Sequence, residues 1–453
     1  MDGIAAWERR WRPFERHEFL EVDERAAHDA IKSLVERLHD NYPFFHPDYA
    51  GQMLKPPHPV ALAAYLAAAR INPNNHALDG GPATAAMERE VVEQFAALFG
   101  YRQHLGHLTS SGTIANLEAL WIASRLHPGR AIAFSSEAHY THARMCEMLS
   151  VPAVVVPVDA KGKIDLDALE REHSGAASGR SSEGHPKIGT VVVTAGTTAA
   201  GAVDPIDDVV RLARERGWRV HLDAAYGGFF KLIAGEPEAR MNAAPWNAFA
   251  QCDSIVVDPH KHGLQPYGCG SVIFADPSVG VFYKHDSPYT YFTSKELHLG
   301  EISLECSRAG AAAASLWTTL RVMPLKAREG LGAVLLACRR AALRAVERVH
   351  RGGRLTPVVT PELDILTLAP LRRGERASAR DVSARTEKIF AACQNDQKRP
   401  FYLAKWRVAR NLAEKTLPSL EWNDEGCTVI RSVLMKPEHA AIVDDLVDRL
   451  EQY

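Results

Sequence analysis

The chain has 453 residues, 46% hydrophobic and 24% charged, with a formal net charge of −2. That length predicts two domains or one large domain with an appendage, and the composition is that of a globular protein. The balanced charge and the absence of a long Lys/Arg cluster or a bilayer-length apolar run leave neither nucleic acid nor a membrane as an expected partner.

The first residues, MDGIAAWERRWRPFERHEF, are charged throughout and lack the apolar core of a secretory leader. The seven cysteines form no CxxC pair and read as reduced thiols, so a cytoplasmic location is expected. Residues 1–50 read as a helical arm, with Ile31, Leu34, Val35 and Leu38 at helical spacing. The next stretch, YPFFHPDYAGQMLKPPHP, has too much proline for regular helix and carries several rings to bury or to present.

From about residue 104 to 276 apolar β-like runs alternate with helical stretches. The runs are AIAFSS, PAVVVPV, IGTVVVTAG, WRVHLDAA, DSIVVDPH and CGSVIFAD. The clearest helix is PIDDVVRLARERG, opened by Pro205, with Ile206, Val209, Val210 and Ala213 on one face and Gly217 as its stop. This alternation predicts an α/β fold with a mostly parallel sheet covered by helices on both faces. The Ser/Gly-rich residues 172–186 are expected to be an exposed loop. A long helical stretch at about 310–350 follows; then LDILTLAP, CTVIRSVLM and a helix after Pro437 complete a smaller α+β unit. The expected division is an arm at 1–50, a large domain at 51–325 and a small C-terminal domain at 326–453.

Ligands of open α/β sheets bind beyond the carboxyl ends of the strands. There the sequence offers Ser135, Ser136, Glu137 and His139 after one run, Thr197 and Thr198 after another, and Asp223 after a third. Asp258, His260 and Lys261 follow the fourth. LTSSGT, ahead of a helix near Thr113, places small residues at a helix N-terminus, where N–H groups and the helix dipole favour an anion. An amine at a desolvated strand end suits Schiff-base chemistry, and a buried carboxylate wants a cation such as a protonated pyridine. His139 with His142, and His104 with His107, have zinc-like spacing, but nothing further completes a ligand set and no metal is expected.

These residues carry a resemblance. DPHKHGLQPYGCG resembles the lysine signature of the pyridoxal-phosphate-dependent group II amino-acid decarboxylases. TSSGTIANLEAL, SSEAHYTHARM, TAGTTAAGAVDPI and HLDAAYGG match other motifs of that family in order. So do HPDYAGQMLKPPHP and GGPATAAMEREVV upstream and SLECSRAGAAAASLWTTLR downstream, with VIRSVLMKPEH a weaker echo. The resemblance implies the fold of aspartate aminotransferase (fold type I): a mostly parallel seven-stranded sheet sandwiched by helices, an N-terminal arm and a smaller C-terminal α+β domain.

The resemblance further implies pyridoxal 5'-phosphate as cofactor, joined to Lys261 as a Schiff base. Asp223 then pairs with the pyridine nitrogen, His139 stacks on the ring, Ala225 packs beneath it, and Thr198 lies near the cofactor hydroxyl and the substrate carboxylate. Ser110, Ser111 and His260 hold the phosphate, and Asp258 belongs to the same cofactor-binding run. A homodimer with shared active sites is implied, Ser303 and the Tyr49 region reaching the partner's site.

The implied reaction is loss of CO2 from an L-amino acid to give the amine, Lys261, His139, Asp223 and Thr198 being the catalytic set. The rings of residues 42–49 and of Tyr289 and Tyr291 tilt the substrate toward an aromatic amino acid. Family decarboxylases carry a proton-donating tyrosine on a loop corresponding to residues 284–301; its register holds Leu297 and His298 here. Tyr289, Tyr291 and His298 are therefore alternative donors. An oxidative aldehyde synthase or carbon–carbon lyase on the same scaffold is the second reading, and a non-catalytic cofactor-binding protein the third. Ala85 and Ala86 also replace the family's usual acidic-hydroxyl pair before Glu88.

Overall fold

A computed structural model describes residues 2–174, 187–284 and 302–453. The chain opens with α1 (Asp2–Glu8) and α2 (Glu24–Leu38), followed by α3 (Pro59–Ile71) and α4 (Pro82–Phe99). Asp23 starts α2 by accepting the Ala26 N–H at 2.7 Å. The apolar stripe expected in the arm lies on this helix, yet it is bare: Ile31, Leu34, Val35 and Leu38 are 61%, 51%, 48% and 53% exposed.

A seven-stranded sheet then forms from β1 (Leu105–Thr109), β2 (Ala131–Ser135), β3 (Ala153–Val156), β4 (Ile188–Thr194), β5 (Arg219–Asp223), β6 (Ser254–Val257) and β7 (Gly270–Phe274). Between them run α5 (Gly112–Leu126), α6 (Thr141–Met148), α7 (Leu166–Ser174), α8 (Ile206–Arg216) and the short α9 (Ala244–Asn247). The strand order is β1-β7-β6-β5-β4-β2-β3. The five strands from β6 to β3 are parallel, and β7 runs antiparallel to both β6 and β1. Burial on both faces explains the unbroken β-branched run of β4, every residue of which is buried. Helix α8 begins after Pro205 and stops at Gly217, whose φ of 68° is left-handed, as the sequence predicts.

Two expectations change. Strand β1, LGHLT, gives no apolar run to read; it holds because Gly106 lets the Val272 carbonyl approach where a Cβ would come within 2.8 Å. The long helical stretch at 310–350 is two helices, α10 (Gly310–Val322) and α11 (Gly330–Gly352). Pro324 cannot continue the first. Gly330, at φ 52°, turns into the second so tightly that a Cβ would sit 2.5 Å from the Pro324 backbone.

The C-terminal section adds β8 (Thr356–Pro357), β9 (Ile365–Ala369), β10 (Ala377–Ser378), β11 (Ala404–Ala409), β12 (Leu420–Glu421) and β13 (Gly426–Val433). Four of these form an antiparallel sheet ordered β11-β13-β9-β8, while β10 and β12 pair separately. Its helices are α12 (Ala379–Gln394), α13 (Arg410–Thr416) and α14 (His439–Gln452). The main core surrounds the seven-stranded sheet and includes Phe95, Phe229 and Trp246. Each fully buried large apolar side chain contributes on the order of 2 kcal/mol. A second core joins α11 and α14 to Leu366, Leu368 and Ile430. Among the described residues no helix is long and apolar enough to cross a membrane.

Candidate active site

The carboxyl ends of β2, β4, β5 and β6 and the start of α5 surround one cavity of about 250 Å³. Ser111, Thr198, Asp223, Ala225, Asp258, His260, His139 and Lys261, all singled out in the sequence, line it. A strand end presents its last side chains and the following loop toward such a crevice, which is why one topological edge gathers them.

Lys261 lies in the turn after β6, its amide donating to the Asp258 carbonyl at 2.9 Å. Its Nζ stands 3.0 Å from Asp258 Oδ2, with the lysine side chain 20% exposed. The Asp258 carboxylate is pressed against the N-terminus of α5: a Cβ on Gly112 would meet its oxygens at 2.5 and 2.6 Å. Among the described residues Asp258 Oδ1 has no hydrogen-bond partner, and the positive end of α5 compensates part of its charge. His260 is oriented by its own strand turn: Nδ1 lies 2.6 Å from the Cys269 carbonyl, and Nε2 lies 3.5 Å from Asp258 Oδ2. That contact puts the ring proton on Nδ1. Burial lowers the pKa of His260.

Asp223 ends β5. Its Oδ2 lies 2.9 Å from His142 Nε2 and its Oδ1 accepts the Ala225 N–H at 3.1 Å. Burial alone would raise the carboxyl pKa; the bond and charge of His142, the Lys261 charge and the Ala225 N–H outweigh it and hold Asp223 well below the usual carboxylate range. His142 is fully buried on α6, one turn after His139. Its partner is therefore Asp223. His139 Nδ1 contacts Thr141 Oγ1 at 2.8 Å, which fixes the ring, and burial lowers its pKa despite the opposing Asp223 charge.

The helix N-terminus also has its donors set by sequence. Ser111 caps α5 by accepting the Ile114 N–H at 3.3 Å. The backbone is packed too closely here for side chains: a Cβ on Gly270 would fall 2.6 Å from the Ser111 carbonyl carbon and 2.9 Å from the Gly112 nitrogen. The Ser110 N–H points elsewhere, to Glu305 Oε2 at 2.8 Å. Ser110 is therefore at the edge of the cradle, and Ser111, Gly112 and Thr113 face the cavity.

Thr198 is held through its carbonyl, which accepts from Arg431 Nη2 at 2.6 Å and Nε at 3.1 Å. Arg431, on β13, also reaches the Gly51 carbonyl at 3.2 Å. One buried cation thus ties the second sheet to the Thr198 turn and to the segment leading to Met53, which lines the cavity. Ser303 does not enter the cavity within one chain; its hydroxyl donates to the Glu305 carbonyl at 2.8 Å. The rings of residues 42–49 are not in it either. Tyr42, Phe44 and Tyr49 pack on one another and on Tyr402. The alternative proton donors Tyr289, Tyr291 and His298, with Leu297, lie outside the described residues.

The arrangement meets chemical demands of a phosphorylated pyridine aldehyde: an amine, a carboxylate kept anionic, and a helix N-terminus whose Ser111, Gly112 and Thr113 face the cavity. His142, Arg431 and Glu305 were not anticipated as parts of it. The signal for His142 was its spacing from His139, and for Arg431 a lone charge inside an apolar strand.

Comparison with known proteins agrees with that reading. The sequence model described as the pyridoxal-dependent decarboxylase conserved domain matches residues 25–365. An L-tyrosine decarboxylase of Enterococcus faecium is 28% identical over 397 residues, covering 67% of this chain and 64% of that protein. The match therefore spans slightly less than two thirds of that relative's length. A probable L-tyrosine/L-aspartate decarboxylase of Methanosphaerula palustris is 29% identical over 328 residues, covering 71% and 82%. Among solved structures, mouse CSAD superposes with a TM-score of 0.78 at 20% identity, covering 97% of this chain and 89% of its own. Oryza sativa TDC with PLP and tryptamine gives 0.79 at 17% identity, covering 99% and 91%. These two likenesses concern the fold.

Proposed function

Because the chain belongs to the pyridoxal-dependent decarboxylase family, we propose that it removes CO2 from an L-amino acid to leave the amine, with aromatic amino acids favoured. The observation that carries this reading is the convergence of Lys261, the Asp223–His142 pair and the α5 N-terminus on one cavity. The aromatic preference draws support from relatives named L-tyrosine decarboxylase. Of the rings of residues 42–49, Tyr42, Phe44 and Tyr49 pack on one another and on Tyr402 within one chain, while Phe45 is exposed.

In this reading Lys261 Nζ is the point of attachment of pyridoxal 5'-phosphate. Asp223 would pair with the ring nitrogen, His139 and Ala225 would hold the ring, and Ser111, Thr113 and His260 would hold the phosphate, with Ser110 at the edge of the cradle. When bound, the cofactor supplies an electron sink for the pair left at the substrate Cα. The chain's own residues do the rest. His142 keeps Asp223 anionic by donating Nε2–H, so the carboxylate meets a cation without losing its charge. Thr141 holds His139 through Nδ1 on the wall of the cavity. Arg431 fixes the Thr198 turn by its carbonyl, leaving the threonine hydroxyl free beside the substrate carboxylate. The buried Asp223 and Asp258 make the floor of the cavity a place of low water content, which favours expulsion of a neutral molecule from a charged carboxylate.

A homodimer completes the reading. The cavity of about 250 Å³ in one chain is smaller than the ~300–1,000 Å³ usual for small-molecule sites. Ser303 lies outside it, and α2 offers a bare apolar stripe for a second copy. The chain divides into an arm at 1–50, a large domain at 51–325 and a small domain at 326–453. All seven cysteines are free, which fits a cytoplasmic location.

The deciding experiment is incubation of the cofactor-loaded protein with a panel of L-amino acids, scoring amine, aldehyde, CO2 and peroxide. Amine with stoichiometric CO2 is expected, fastest with tyrosine or a related aromatic. Aldehyde with peroxide as main products would replace this reading by the oxidative one, which Leu297 and His298 at the tyrosine register favour.

A further inference from the structure

A larger cavity, of about 530 Å³, lies away from the active site, where the loop around Lys161, the 240–246 segment, the 357–362 segment and the end of α13 meet. Its charge is unbalanced. Lys161, Arg240, Arg339 and Lys415 line it with one carboxylate, Glu362, and of these cations Arg240 is already paired with Glu347 at 3.2 Å. The Glu362 carboxylate is itself engaged, 2.6 Å from Lys163 Nζ and accepting the Val203 N–H at 2.9 Å.

Arg339 is the unusual member. It is 3% exposed, and its hydrogen bonds go only to carbonyls: Ala239 at 2.8 Å, Pro361 at 2.8 Å and Leu363 at 2.9 Å. No ion pair to it forms among the described residues. A buried guanidinium without a carboxylate is costly, and an anion in the adjoining space would offset that cost. Burial lowers its pKa to about 10 although the charges of Asp364 and Glu362 oppose the shift. Thr416 Oγ1, also on the wall, is enclosed without a hydrogen-bond partner. Lys161 and Lys415, both at exposed positions, also line the cavity, Lys415 Nζ donating to the Val158 carbonyl at 2.7 Å, and the Trp246, Pro245 and Pro357 side chains supply apolar wall. The volume is that of a small-molecule site.

We propose that this cavity is an effector site for a small phosphate-class dianion, clamped by the guanidinium of Arg339 and the ammonium groups of Lys161 and Lys415. Its connection to the active site is short. The carbonyls that Arg339 holds belong to Pro361 and Leu363. The next residue, Asp364, accepts the Tyr226 hydroxyl at 2.6 Å, and Tyr226 lines the active-site cavity. An anion that draws on Arg339 therefore acts on the segment that positions Tyr226.

The test is calorimetric titration of the cofactor-loaded protein with inorganic phosphate, the loaded cofactor occupying the phosphate cradle at α5. One saturable site per chain is expected. The double substitution Lys161→Ala/Lys415→Ala, at exposed positions, should weaken binding at least tenfold, while Arg344→Ala on the outer face of α11 should leave it unchanged. Arg339→Met should abolish it. Substrate KM should shift with phosphate in the wild type and not in the double variant. Absence of saturable heat, or equal affinity in the double variant, overturns the site; binding with an unmoved KM overturns the effector role. The calorimetry reads binding directly, so failure of the decarboxylase reading would not be mistaken for failure of the site.

Discussion

Asp223 and His142 form a buried pair, Oδ2 to Nε2 at 2.9 Å, with the imidazole fully enclosed and the carboxylate side chain 6% exposed. The second nitrogen of His142 has no partner. The pair is therefore a one-bond device whose consequence falls on Asp223. Replacing His142 by Ala removes a hydrogen bond to a charged group, worth about 1.5–3 kcal/mol. Binding of pyridoxal 5'-phosphate, followed by its absorbance at equilibrium, should weaken roughly 10- to 100-fold, and His142→Asn should recover part of the loss. Unchanged affinity in His142→Ala would mean that Asp223 does not serve the cofactor.

Lys261→Ala removes the amine that stands 3.0 Å from Asp258. Turnover should fall by on the order of 10³-fold or more, as for loss of an essential proton-transfer or covalent group. Borohydride reduction of the wild type should add the cofactor mass to the peptide bearing Lys261, and the variant should show none there. Near-normal turnover in the variant would contradict the assignment.

Glu305 holds the Ser110 N–H at 2.8 Å and so shapes the cradle without facing the cavity. Glu305→Ala should weaken pyridoxal 5'-phosphate about 5- to 10-fold, the worth of one hydrogen bond. Pyridoxal, which lacks the phosphate, should bind as before. If both ligands lose equally, the carboxylate supports the fold in general; if the phosphate ester binds more tightly, Glu305 competes with it.

Acid should destabilise the protein between about pH 6.5 and 4 through its buried histidines. Burial pushes His221 down to about 3 and His439 down to about 4. Both folded values lie below the ordinary imidazole value, so their contribution is complete above about pH 6.5 and is lost as pH falls toward 4. Asp204 and Asp364, raised by burial to about 6, act oppositely: what they contribute is present below about pH 4 and is lost as pH rises through 6. The histidine shifts are the larger, so stability should decline on acidification, by on the order of 3 kcal/mol for His439 alone if its full shift is realised. Thermal unfolding of wild type and His439→Gln between pH 6.5 and 4 should show a flatter curve for the variant. Parallel curves would remove His439 as a cause.

The sheet and the site were legible to different depths. Runs such as IGTVVVTAG announce buried parallel strands because both faces are covered, and the residues after them follow from topology. Strand β1 was hidden because five residues with a glycine and a histidine have no periodicity to detect. Lys261, Asp223 and His139 could be found because chemistry rare at strand ends marks them. Their supports could not: Glu305 is 195 residues from Ser110 and Arg431 is 233 from Thr198, distances that only a folded chain closes. The aromatic segment was legible only as rings to bury or to present: within one chain Tyr49 meets Tyr402, a contact the sequence does not announce.

Gly112 stands where the Asp258 carboxylate leaves no room for even a methyl group, and Gly270 touches the same backbone from the other side. Mutational drift has no route through this point. A substitution at Gly270 displaces main chain and one at Gly112 displaces the Asp258 carboxylate, so space is made only by disturbing the cradle itself. In a saturation library scored for soluble protein and for cofactor retention, most core positions would trade size with a neighbour. Positions 112 and 270 would tolerate nothing but the residue they have.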